Sequence, residues 1–231
     1  MNEDENTPGL GEATPETLGE WIALATLNYC METRAEDDDE LAVVQSAARL
    51  AMLEGLYIGR ERPDLAGEAR DPDAPLTEER QGEVELFASL TESFVMMQPA
   101  LLSASGDDDL SATGPLPAID VFSLAFVDMC LNSMEDDDDD SDDDADDDSD
   151  EPDDSDDDDD DEGETIVFAW PDDALEITRA ALEMGLDIHT TRPTTAAGLW
   201  ESRPEQFADA DATISEVIGL ALDWREGEGT E

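Results

Sequence analysis

The sequence predicts an all-α protein: two tandem three-helix units related by internal duplication and packed into one helical bundle, with a disordered Asp-rich insertion between two helices of the second unit. Three observations predict it. The motif GL-x-I-x-x-x-RP occurs twice, from Gly55 to Pro63 and from Gly185 to Pro193. A second pair, LATLNYCM from Leu24 and LAFVDMCL from Leu124, precedes it in the same order. Apolar residues also recur at three- and four-residue spacing, the period of a helix with one buried face.

Residues 1–13 read as a disordered acidic lead. Thr14 as N-cap and Pro15 at the first helical position open a helix over 15–33, carrying Leu18, Trp21, Ile22, Ala25 and Tyr29. The acidic turn Glu36–Asp39 favours a second helix start, and Leu41, Val44, Ala48, Met52 and Leu56 mark that helix over 39–58. Residues 60–76 read as a loop. A third helix spans 77–103 with Val84, Phe87, Leu90, Phe94, Met97 and Leu101, bent or ended by Pro99. Unit one is therefore 14–105, and 106–117 is a Gly/Ser/Asp/Pro linker.

Unit two is 118–231. Its first helix, 118–134, matches the first helix of unit one. An Asp/Glu-rich insertion over 136–164 follows, where unit one has only Glu36–Asp39. Thr165–Trp170, TIVFAW, is a short extended apolar segment without a counterpart. A helix over 171–186, a loop over 187–208 and a helix over 211–225 complete the unit.

The 231 residues carry a formal net charge of −56. Without the 22 acidic residues of 136–162, 44 acids still face 10 bases, so the acidity is global. Lysine is absent, and every fixed positive charge is an arginine. Such a chain repels itself in dilute salt. In multi-molar salt the Debye length falls to roughly 3 Å or less and the repulsion is screened. The composition resembles that of haloarchaeal proteins and implies a cytoplasm of very high salt. The rival reading, an acidic nucleic-acid mimic from an ordinary cell, leaves the missing lysine unexplained. No basic patch exists to neutralise phosphates, which argues against direct nucleic-acid binding. The first sixteen residues have neither the basic nor the apolar region of a secretory signal. No stretch reaches the ~18 continuous apolar residues of a membrane span. A cytoplasmic location is the expectation.

The candidate site residues are Arg62, Arg192, His189 and Trp200. Arg62 and Arg192 each precede a proline, which favours extended backbone and aims the side chain away from a helix end. Each reads either as the partner of a carboxylate that locks its loop or as a receptor for an anionic ligand. His189 is the only histidine and reads as a surface-loop residue, with no nucleophile or acid placed around it by spacing. Trp200 sits in an expected loop, either pinned to the core or offered to a partner. Cys30 and Cys130 occupy matching positions and read as small buried hydrophobes, a disulfide between them being the alternative.

No nucleophile elbow, P-loop or dinucleotide fingerprint is present, and one histidine does not complete a zinc set. No cofactor is expected, beyond weak non-specific cation association with the Asp-rich insertion. The sequence thus predicts a non-enzymatic helical interaction protein (an adaptor, assembly or regulatory factor) with an unknown protein partner, or a second copy of itself. Two alternatives stand beside it. One is an acidic regulator that binds a basic partner through 136–162. The other is a binder or enzyme for a small anionic ligand, with both RP loops converging on one cavity.

Overall fold

The structure, a computed structural model, describes residues 15–33, 39–70, 75–105, 114–136, 172–203 and 210–228. Among the described residues eight helices are formed: α1 (Leu18–Thr33), α2 (Glu40–Glu61), α3 (Ala66–Ala69), α4 (Glu78–Ser105), α5 (Ala118–Asp136), α6 (Asp172–Thr191), α7 (Pro193–Glu201) and α8 (Ala210–Glu228). Among the described residues there is no strand. The all-α class is as the periodicity predicts. The Asp-rich stretch beyond Asp136 and the TIVFAW segment lie outside the described residues.

Local chemistry sets the helix starts. α1 begins three residues later than expected, because Thr17 rather than Thr14 caps it. The Thr17 hydroxyl accepts from the Glu20 N–H at 3.2 Å, and the Glu20 carboxylate accepts from the Thr17 N–H at 3.1 Å, a reciprocal capping box. Asp39 accepts from the Ala42 N–H at 2.8 Å and caps α2. Thr77 does the same for Arg80 at the start of α4. α4 runs through Pro99 instead of ending there.

The expected loop over 187–208 is mostly helical. α6 continues to Thr191, and Pro193 takes the first position of α7. Proline supplies the helical φ and needs no N–H partner in a first turn, so the helix restarts at once. The loop expected over 60–76 holds the single turn α3. His189 is consequently a half-buried residue of α6, and Trp200 is a buried residue of α7.

The centre of the molecule is the pair α2 and α6, lying side by side in the same direction. A Cβ on Gly55 would lie 2.2 Å from the Leu182 carbonyl oxygen, and one on Gly185 would lie 2.3 Å from the Met52 carbonyl oxygen. Four residues on, a Cβ at Gly59 would meet the His189 ring at 2.6 Å. With Ala51 and Ala181 a turn earlier, both fully buried, small residues let the two backbones touch.

The other helices pack across the two halves of the chain. α4 packs chiefly on α5 and α6, while α8 packs on α1 and α2. α1 in turn lies on α6, and α5 lies on α2. α4 and α8, the last helix of each half, thus both lie on helices of the other half. A single core cluster, from Leu18 to Ala221, draws on both halves. α2 has the length and mean hydropathy of a membrane span, yet 67 % of that stretch is buried among its neighbours, as in the central helix of a bundle.

Candidate functional site

Helix α4 carries two apolar stripes. The inner one, Val84, Ala88 and Thr91, is buried. Phe87 at its edge meets Phe122 and Phe126 of α5 edge-on, with ring centroids 5.7 and 6.1 Å apart. The outer stripe is Leu90, Phe94, Met97 and Leu101, spaced by four, three and four residues. This is the spacing of a seam that packs against another helix. Here it is open: Leu90 is 63 % exposed, Phe94 47 %, and Met97 and Leu101 51 % each.

Beside this stripe runs a groove of about 580 Å³ between α4, α5 and the start of α2. Leu41, Leu90, Phe94, Leu116, Leu124 and Leu131 line it, and among the described residues Asp128 is its one charged residue. Buried Gln98 fixes one wall. Its side-chain oxygen accepts from the Leu116 N–H at 2.9 Å and its amide donates to the Leu116 carbonyl at 3.4 Å, which holds the segment before α5 against α4. Ser202, at the end of α7, accepts from the Ile119 N–H at 3.1 Å and steadies the first turn of α5.

The packing of α8 on α1 shows how such a groove is closed. There α8 lies along α1 and buries Ile214, Val217, Ile218 and Ala221, and Leu24 of α1 is 6 % exposed. Its counterpart in the matching motif, Leu124, is 37 % exposed. α4 touches α5 through Phe87 and then leaves its outer stripe uncovered.

The residues singled out from the sequence do not line this groove. Arg62 closes on Asp64 two residues away, through Nε at 3.2 Å and Nη2 at 3.0 Å. That contact holds the Asp64 carboxyl below its ordinary value and raises the Arg62 guanidinium. Arg192 reaches α4 instead, donating to Glu92 at 2.9 Å and Ser89 at 3.2 Å, with Thr195 donating to the same Glu92. His189 and Trp200 do come together, in a second cavity with Leu56, Arg60 and Pro193. The guanidinium of Arg60 lies 4.2 Å from the Trp200 ring centroid and that of Arg203 4.5 Å, and Tyr57 tilts against the ring at 6.1 Å. This cavity holds about 120 Å³, well short of the roughly 300 Å³ at which small-molecule sites begin. Neither Arg62 nor Arg192 lines it.

Cys30 and Cys130 are both free thiols. Burial pushes Cys30 up to about 12 and Cys130 up to about 11, so neither is a ready nucleophile. Among the described residues no group of three His, Cys, Asp or Glu side chains is placed to hold a metal ion. A third cavity, between the starts of α1 and α6, is walled by Glu16, Glu20, Asp172 and Glu176 around Arg179.

Helical spacing in the sequence assigns Leu41, Leu90 and Phe94 to helices and marks none of the groove residues as a site. Their signal was the second stripe on α4: six apolar residues at helical spacing were read as one core face, although they span two. Comparison of the chain with protein-family profiles, curated proteins and solved structures finds no match.

Proposed function

We propose that this chain is a helical interaction protein of a high-salt cytoplasm, and that its binding element is the groove between α4 and α5, which takes up an apolar helix face. The observation that carries the reading is the outer stripe Leu90, Phe94, Met97 and Leu101, exposed beside a groove of matching chemistry. Soluble chains seldom leave large apolar side chains contiguous on the surface unless something covers them. The helix-in-groove mode uses such a stripe as its anchors.

The same proposal takes the two halves as copies of one unit. Arg62 and Arg192 share one backbone conformation, at φ −131, ψ 54 and φ −132, ψ 65, each with its N–H on the carbonyl of an isoleucine four residues back. Arg49 of α2 pairs with Asp120 of α5 at 3.1 Å, and Arg179 of α6 pairs with Glu20 of α1 at 3.2 Å. Those four residues occupy corresponding places in the two halves, and each pair crosses from one half to the other. A duplicated unit that once paired with itself accounts for this exchange.

The test is affinity capture from a lysate of the source cell in multi-molar KCl. Three baits are compared: the full chain, the Leu90→Glu/Phe94→Glu variant, and a deletion of 136–162. Loss of the captured protein with the groove variant alone is the expected result. Loss with the deletion alone would instead favour an acidic regulator acting through the Asp-rich stretch.

A further inference from the structure

We infer that the occupant of the α4–α5 groove is the outer face of α4 from a second copy of this chain, in an antiparallel, two-fold pairing. The inference rests on the groove being a binding element, and it names what binds there.

Charge is the first argument. A third of the residues are charged and the net charge is −56, so two copies repel almost wherever they meet. The stretch from Ser93 to Gly106, SFVMMQPALLSASG, holds no charged residue. It includes three of the four exposed residues of the outer stripe. Across this stretch each copy offers no carboxylate of its own to set against Asp128 of the other's groove. A basic partner would gain nothing from a neutral face when acid-rich surface lies all around it.

Self-complementarity is the second. The protruding stripe and the groove that accepts such a stripe lie side by side on one molecule. That is what an isologous contact needs, because each copy then offers both parts to the other. An antiparallel crossing near Phe94 and Met97 sets Leu90 against Leu101 and Glu85 against the neutral end of the other copy's α4. A parallel crossing would set the two Glu85 carboxylates against each other.

The third is the arginines. Among the nine described, each already engages an acidic side chain or the Trp200 ring, and none lines the groove. Among the described residues no cation lines the groove to select an anionic ligand.

The experiment is sedimentation equilibrium of the full chain, from dilute to multi-molar KCl. The expected result is a species of twice 25.1 kDa that strengthens with salt, as screening and apolar association both rise. Leu90→Glu or Phe94→Glu is expected to raise the dimer dissociation constant by about 30-fold or more, with unchanged helical circular dichroism. Leu220→Glu, at an exposed leucine of α8 outside this face, is expected to leave the dimer intact. A dimer indifferent to both α4 substitutions overturns the inference. So does a monomer at every soluble concentration in high salt. If that monomer still captures a different protein through Leu90 and Phe94, the interaction reading stands and only the identity of the occupant fails. If it captures nothing, both fall.

Discussion

Gly55 and Gly185 touch backbone to backbone, each leaving room for the carbonyl three residues upstream of the other. Neither carbonyl belongs to a flexible side chain, so a methyl group at either site must push two central helices apart. Gly55→Ala or Gly185→Ala is expected to lower stability by about 3 kcal/mol, the upper range for overpacking. Gly82→Ala and Gly219→Ala, both helical with open space around them, should raise stability by roughly 0.5–1 kcal/mol. Thermal unfolding of the four variants in multi-molar KCl checks the contrast. Equal effects at all four would remove the close approach as an explanation for the repeated Gly-Leu.

The sequence carries this contact visibly, since the motif that repeats is the one that meets its own copy position. The helical class, the α2 core face and the capping of α2 by the acidic turn were legible for the same reason: each depends on neighbours within a few residues. The packing of α4 and α8 on the opposite halves was not legible. Helical periodicity says that a face is buried and leaves open which helix buries it. Ending the helix at Gly185 puts His189 and Trp200 in a loop, whereas α6 runs on through Gly185 to Thr191 and Pro193 begins α7 in a first turn.

The packing of α4 and α8 across the chain makes its two halves depend on each other. α4 lies on α5 and α6, and α8 lies on α1 and α2, so a half cut at the 106–117 linker exposes what the other half covers. Residues 1–105 or 106–231 alone are expected to stay unfolded or aggregate. The two expressed together are expected to recover the circular dichroism and thermal transition of the intact chain in high salt. A cooperatively folded single half would contradict the interlocked arrangement.

Asp187 anchors a clasp between distant segments. It is 3 % exposed and takes Arg70 from the segment after α3 and Arg80 from α4, the latter at 3.3 Å. Asp187→Asn removes the charge that both guanidinium groups face. Both arginines are partly exposed, so water softens the loss, and about 2 kcal/mol is expected rather than the 3–5 kcal/mol of a fully buried broken pair. A double-mutant cycle of Asp187→Asn with Arg70→Gln measures the coupling. A value near zero would mean that Arg70 adds nothing and that Arg80 alone holds the aspartate's charge.

Glu54 sets a pH dependence with a definite sign. Its side chain is fully buried between α2 and α1, and its Oε1 has no hydrogen-bond partner among the described residues. The Thr26 hydroxyl lies 2.7 Å from Oε2 and 2.8 Å from the Ile22 carbonyl. That hydroxyl has one proton, and giving it to the carbonyl leaves Oε2 to donate, which requires a neutral acid. Burial accordingly pushes Glu54 from its ordinary 4.5 up to about 8, with the Thr26 contact opposing the rise. The unfolded chain releases this proton near 4.5 and the folded chain keeps it to about 8, so the folded state loses stability as pH rises through that window. Glu54→Gln stays neutral and can donate from its amide to Thr26. Its advantage over the wild type should be nil below pH ~4.5 and grow to on the order of a few kcal/mol by pH ~8. Taking the difference between two chains cancels the repulsion of the other carboxylates, which changes over the same range. Urea unfolding of both proteins at several pH values in multi-molar KCl measures it. A difference that stays flat from pH ~4.5 to ~8 would mean that water reaches the carboxylate and that the α1–α2 contact is looser than its burial indicates.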